Sequence, residues 1–332
     1  MPSTALLANA ALSLWNAAMA IVVGLYACDR MGIPHAVSQM DRHLRTWLEC
    51  FVFMTLGFIS ISVVSPIYLL LHSVLFPMPL LNSIVHALSG PALSALVTVG
   101  LVWLLSHGIS SISLREAGWV RCPGAGQDAV VGWLLPPVLF GIGTLISVAA
   151  GWADVAVSSA AMSGDAPRVV ARGLLFFLGT SIAEEMVFRG FLLNTITRGF
   201  GIRTGVIVSS LLFAFAHSAN PGVNAPAIFG TLLAGFLLAY AYVITGQLWL
   251  PIAFHWAWDF SESSLFGFHD SGILPDAIAQ INEHGPDLWL GGDFGPEAGL
   301  FGYLAVAAAA GALYLYSKHR QRPAPVTAEE PS

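Results

Sequence analysis

The sequence predicts an all-α fold, a polytopic transmembrane helical bundle of about eight or nine spans with a polar site inside the membrane. Three observations predict it. Of 332 residues, 56% are hydrophobic and only 10% are charged, whereas a soluble domain carries roughly 25% charged residues. The mean hydropathy is +0.74. The apolar residues fall in runs long enough to cross a bilayer, separated by charge, Pro and Gly. Together these exclude a water-soluble enzyme and a disordered chain. With 13 Lys+Arg against 19 Asp+Glu, there is no basic surface to hold phosphates, and no nucleic-acid partner is expected.

The expected spans are 5–27, 47–75, 84–106, 129–151, 169–197, 204–219, 226–245, 248–267 and 298–316. The N-terminus has no Lys or Arg ahead of its first apolar run, so that run reads as a retained span rather than a cleaved signal. The second span is long enough to tilt, or to bend at Pro66. The stretch 108–127 is too polar to span and reads as an interfacial helix and turn. Between the fifth and sixth spans lie Arg198 and Arg203, and the connection after the sixth has no basic residue. The segment 268–297 carries acids but no Lys or Arg, and reads as an external loop. The tail 317–332 is polar and Pro-rich and reads as disordered, with its basic start anchoring the last span. Gly230 and Gly235 do not make a GxxxG face and read as places of close helix packing. Cys28, Cys50 and Cys122 have no paired spacing and read as small apolar fillers.

Lys and Arg alternate between connections. Arg30, Arg42 and Arg45 follow the first span, Arg115 and Arg121 the third, and Lys318, Arg320 and Arg322 the last. By the positive-inside rule the N-terminus is outside and the C-terminus inside, with a bacterial plasma membrane as the expected location. Arg168 and Arg172, at the outer start of the fifth span, are the exceptions.

Charges within the spans each need a reason, because one at a helix centre costs roughly 2.5–3.5 kcal/mol on insertion scales. The fifth span holds Glu184, Glu185 and Arg189 within six residues. Glu185 and Arg189 are spaced i,i+4 and can pair along one face. Glu184 points about 100° away and is left over. The sixth span holds His217, and the eighth holds His255 and Asp259, again i,i+4. Glu184 is fourteen residues from Arg198 and His217 fourteen from Arg203, so both lie about 21 Å from the inner boundary. His255 and Asp259 reach a similar depth. A glutamate with imidazole and carboxylate helpers can activate a water, and the same groups can bind a metal. His72, His86 and His107 lack an acidic neighbour at helical spacing and read as packed histidines. The chain has no HExxH zinc helix, no GxSG serine motif and no GxGD element, since Gly291-Gly292-Asp293 follows Leu290 in a loop.

Three motifs carry a resemblance. Residues 184–189 are EExxxR, residues 213–217 are FxxxH, and residues 255–259 are HxxxD. In that order, on successive membrane helices, they resemble the CPBP family of intramembrane glutamic endopeptidases, which includes CAAX prenyl endopeptidases of the Rce1 type. The match covers about 168–266. It implies a catalytic core over 128–267, preceded by N-terminal spans and an interfacial segment over 1–127. The loop 268–297, a last span over 298–316 and the tail 317–332 would follow. It implies that Glu184 is the general base for the attacking water and that His217 helps bind that water. His255 and Asp259 would stabilise the oxyanion, while Glu185 and Arg189 hold the site together. Some members have Asn where this chain has Asp259. An ionised Asp cannot donate to an oxyanion, so the expected part for Asp259 is to orient His255 while the imidazole donates. The resemblance implies no metal and no other cofactor, and a peptide or protein partner within the lipid bilayer. It does not extend to a prenylated substrate. Two other readings stay open on the residues alone: a proton-coupled transporter, since intramembrane Glu, Asp and His also make proton relays, and a catalytically silent immunity or binding protein on the same fold.

Overall fold

The computed structural model describes residues 41–51, 54, 100, 112–272 and 276–320. The first three expected spans fall almost wholly outside these residues. The remaining six are each met by a helix. Helix α1 spans Ala125–Ala149, starting after Gly124 in the left-handed region (φ 92). Helix α2 (Ala166–Glu185) has a Pro in its first turn, where the missing N–H costs nothing. It runs on as a π-helix over Met186–Leu193 and then as α3 (Asn194–Phe200), which ends at Gly201. Helix α4 is Ile202–Ala216. Helix α5 (Ala225–Thr245) is capped by the Asn224 side chain, which accepts from the Ala227 N–H at 2.8 Å, and it stops at left-handed Gly246. Helix α6 (Trp249–Asp259) continues as a second π-helix, Phe260–Leu265. Helix α7 is Leu300–His319.

Five of these helical stretches, Ala125–Ala149, Ala166–Phe200, Ile202–Ala219, Ala225–Thr245 and Leu300–His319, are long and apolar enough to cross a membrane. Their many outward apolar side chains, Leu134, Val138, Leu145, Leu211 and Leu304 among them, suit hydrocarbon rather than water. Helix α6 is different. Every residue from Leu250 to Asp259 except Trp256 is buried, so α6 is the inner pillar of the bundle. It packs against α1, α2 and α5. Small residues permit this closeness: a Cβ on Gly132 of α1 would sit 3.0 Å from the Phe254 backbone nitrogen and 3.1 Å from the Ala253 Cβ. Gly143 gives the Phe301 ring of α7 its place in the same way. Phe140 then centres an aromatic cluster, 4.9 Å from Trp258 and 5.4 Å from Phe301 between ring centroids.

Three expectations need correction, and one gains a partner set. The all-α reading misses a two-stranded antiparallel ribbon, β1 (Ala153–Val157) with β2 (Ala279–Glu283), in register Ala153↔Glu283 to Val157↔Ala279. Five residues are too short for a strong period-2 signal, and the pairing spans more than a hundred positions. The stretch 108–127 holds no interfacial helix among its described residues. Ser113 and Glu116 cap each other, Ser113 N donating to Glu116 Oε2 at 2.7 Å and Glu116 N to Ser113 Oγ at 3.2 Å. The turn they start ends at once, because Gly118 is left-handed (φ 89). The tail is ordered further than expected. Helix α7 runs to His319, and Arg320 is buried, donating from Nε to Asp128 Oδ1 and from NH2 to Asp128 Oδ2, both at 2.7 Å. Tyr316 Oη donates to the same carboxylate at 2.7 Å. Residues 321–332 lie outside the described residues. Finally, the exceptional basic residues each have an acid: Arg168 pairs with Asp165 at 2.6 Å and Arg172 with Asp276 at 3.0 Å.

Candidate active site

The three motif helices converge on one cluster. The EExxxR motif sits where α2 gives way to the π-helix, so Glu184 and Glu185 end a regular helix and Arg189 lies in the widened turns. The HxxxD motif sits at the matching place on α6, with Asp259 the last residue before the second π-helix. His217 follows the end of α4 in a short 3-10 turn. Single π-type turns recur at functional sites because they displace a side chain from its helical register.

Glu185 is the hub. Its side chain is fully buried, and its Oε1 accepts from Arg189 NH1 at 2.7 Å and faces His255 Nδ1 at 2.9 Å. Arg189, also buried, donates from NH2 to the Gly235 carbonyl of α5 at 3.1 Å. Its guanidinium lies 4.4 Å from the Phe213 ring centroid. Phe213 in turn lies 4.6 Å from the His217 ring, tilted by 46°, and meets His255 edge-on at 6.0 Å. The motif phenylalanine is thus an apolar contact shared by both imidazoles and the arginine.

Each imidazole has one nitrogen held and one offered. The carbonyl oxygen of Phe213 can only accept, so His217 Nδ1, 2.8 Å away, carries the proton and leaves Nε2 free. His217 Nε2 faces Glu184 Oε2 at 3.8 Å. His255, held through Nδ1 by Glu185, turns its Nε2 toward Glu184 Oε2 at 3.9 Å and Asp259 Oδ2 at 3.5 Å. Spacings of 3.8–3.9 Å are too long for direct hydrogen bonds and are the kind a bridging water closes. Glu184 Oε2 is itself buried without a hydrogen-bond partner among the described residues, although the Glu184 side chain as a whole is 34% exposed. That makes Glu184 the accessible carboxylate of the pair and Glu185 the sealed one.

All six residues singled out in the sequence, Glu184, Glu185, Arg189, His217, His255 and Asp259, therefore come together. One expected contact is different. Asp259 does not hold the ring nitrogen that fixes His255, since Glu185 does so and Asp259 stands on the Nε2 side with Glu184. The reason is geometric: from α2, Glu185 approaches the Nδ1 edge of the ring, whereas the i,i+4 contact along α6 reaches the Nε2 edge that faces Glu184. One contributor went unseen. The Gly235 carbonyl carries no side-chain signal at all. Beyond the cluster, Glu262 was legible as a further acid inside the span 248–267, and it lies fully buried in the π-helix after Asp259.

With the geometry in view, the comparisons are specific. Residues 166–261 match the family described as Rce1-like, type II CAAX prenyl endopeptidase Rce1-like. No curated protein and no solved structure matches the chain. The matched segment runs from the start of α2 past the HxxxD motif, so the resemblance carried by the three motifs holds across the whole cluster. The matched family is one of proteases, and the five long apolar helices suit an integral membrane protein.

Proposed function

We propose that this chain, Rce1-like over residues 166–261, is an intramembrane endopeptidase that hydrolyses a peptide bond with a glutamate-activated water. The observation that carries the reading is Glu184 Oε2, buried, without a hydrogen-bond partner among the described residues, and facing the Nε2 atoms of two imidazoles at 3.8 and 3.9 Å. A water held between Glu184 and His217 Nε2 loses a proton to Glu184 as its oxygen attacks the scissile carbonyl carbon. The carbonyl π electrons move to oxygen. His255, steadied by Glu185 through Nδ1, meets that oxyanion with a proton on Nε2. Asp259 holds the same Nε2 edge in place between turnovers. Collapse of the tetrahedral intermediate breaks the C–N bond, and Glu184 returns its proton to the leaving amine. The substrate is a peptide or protein segment that enters from the bilayer. The acid-rich loop 268–297 faces outside and the C-terminus inside, as the distribution of Lys and Arg implies.

The test uses full-length protein in liposomes with a mixed library of apolar synthetic peptides, read by mass spectrometry. Wild-type protein produces discrete internal cleavages. Glu184→Gln lowers their rate by about 10²–10⁴-fold, with unchanged helicity and thermal stability. Unchanged cleavage in that variant refutes the mechanism. Two imidazole nitrogens and two carboxylates would also suit zinc, so the zinc-selective chelator phenanthroline is a second arm. Activity that it abolishes and added zinc restores would replace the metal-free account.

A further inference from the structure

A second group of acids lies one helical turn beyond Asp259, outside the cluster described above. Glu262, Asp270 and Glu297 each direct a carboxylate oxygen into one small volume, with these oxygens all within 4.8 Å of one another. They come from three places that sequence separates: the π-helix that extends α6, the start of the outer loop, and its end just before α7. Glu262 is 0% exposed, and neither of its carboxylate oxygens has a hydrogen-bond partner among the described residues. The Trp258 indole N–H, four residues earlier on the same helix, is directed at this carboxylate without closing a hydrogen bond of good geometry. Glu297 Oε2 accepts from Ser271 Oγ at 2.6 Å. Among the described residues, no Lys or Arg forms an ion pair with any of the three.

The backbone is shaped around this point. Gly295 has φ +102, and a Cβ there would sit 3.3 Å from Glu262 Oε1 and collide with the His269 carbonyl oxygen. The two ends of the loop therefore meet directly over the Glu262 carboxylate. Phe268 N donates to the Glu262 carbonyl at 2.9 Å, and Gly272 N to the Phe294 carbonyl at 3.0 Å. Three convergent carboxylates without a countercharge are unfavourable in such a place. The donors are all oxygen, with no histidine or cysteine nitrogen or sulfur among them. That chemistry selects hard cations over zinc.

We propose that Glu262, Asp270 and Glu297 form a binding site for a hard divalent cation of the calcium and magnesium class, which fastens both ends of the outer loop to the helix that carries His255 and Asp259. The three carboxylates supply the protein ligands. Nearby backbone carbonyls and waters complete the six to eight oxygens that calcium takes. The bound ion steadies the outer end of α6, and so the reacting edge of the cluster, without touching the water that is activated.

The test uses full-length protein in detergent, stripped with EGTA and then titrated with calcium or magnesium, binding being read by radiolabelled-calcium equilibrium dialysis and by thermal unfolding. One calcium per chain is expected, with a saturable rise in Tm. Magnesium competing for the same site would identify the smaller ion as the preferred member of the class. Glu262→Gln and Asp270→Asn each weaken binding by at least tenfold, and Glu283→Gln, an acid of the same loop outside the trio, leaves it unchanged. If Glu262→Gln does not fold, Glu297→Gln takes its place. No saturable binding by the wild type, or binding unaffected by the trio variants, overturns the proposal. So does a Glu262→Gln protein that is more stable and equally indifferent to cations, the result expected if the carboxylates simply share protons. None of these readouts depends on peptide cleavage, so the outcome is independent of the proposed peptidase activity.

Discussion

Glu184 and Glu185 are adjacent in sequence and opposite in circumstance. A turn of about 100° per residue separates them, which sends Glu185 into the sealed hub and leaves Glu184 facing the open side. That division was legible, because only Glu185 has an arginine four residues on. The ring nitrogen that Glu185 holds was not legible, because it depends on the approach of α6, which no local spacing encodes. The same residues make a stability prediction. Arg189 and Glu185 form a pair with side chains 1% and 0% exposed, and breaking such a pair strands a buried charge. Arg189→Met lowers stability by about 3–5 kcal/mol, seen as a fall in Tm in detergent. The double variant Glu185→Gln with Arg189→Met recovers part of that loss, since no uncompensated charge remains. A single variant as stable as wild type would show that Glu185 does not depend on Arg189.

At the scale of elements, the helices were legible and the departures from them were not. Observed ends such as 225–245 against the expected 226–245 follow from apolar run length, Pro at a first turn and Gly at a last one. The two π segments leave no such mark, since the same residues make α- or π-turns and the choice is settled by packing. The ribbon is the other unmarked element, and its chemistry gives it a pH response. Glu283, at the β2 end opposite Ala153, has its carboxyl pushed up to about 7 by burial and by Asp287 and Asp293. A carboxyl held above its ordinary value binds more protons in the folded state than in the unfolded one. Stability is therefore highest below the ordinary value of about 4.5 and falls as pH rises toward about 7. Hydrogen exchange of the β1 and β2 amides is expected to speed up across that window beyond the intrinsic pH effect. In Glu283→Gln the extra acceleration disappears. Exchange in the wild type that tracks the intrinsic rate alone would refute the assignment.

At the scale of the whole molecule, α1 and α7 are clasped together. Asp128 near the start of α1 is 0% exposed and holds Arg320, just past the end of α7, through two hydrogen bonds of 2.7 Å. Arg320→Ala leaves that carboxylate buried and uncompensated, and is expected to lower stability by about 3–5 kcal/mol. Asp128→Asn combined with Arg320→Ala is expected to restore part of it, both read as shifts in Tm. Equal stability of Arg320→Ala and wild type would show the clasp to be incidental. The contact also bears on counting. Two ends that meet lie on one face of the bilayer, which requires an even number of crossings between them. The five helices long enough by themselves are an odd number, and counting α6 with its π extension, short but enclosed by its neighbours, makes the number even. The expected span 248–267 and the clasp thus agree on the same count, by independent routes. From α1 to α7, a bundle closed in this way brings its two ends side by side. A permuted gene that joins 320 to 125 through a short linker and opens at the exposed Pro221–Gly222 turn would encode the same ring of helices.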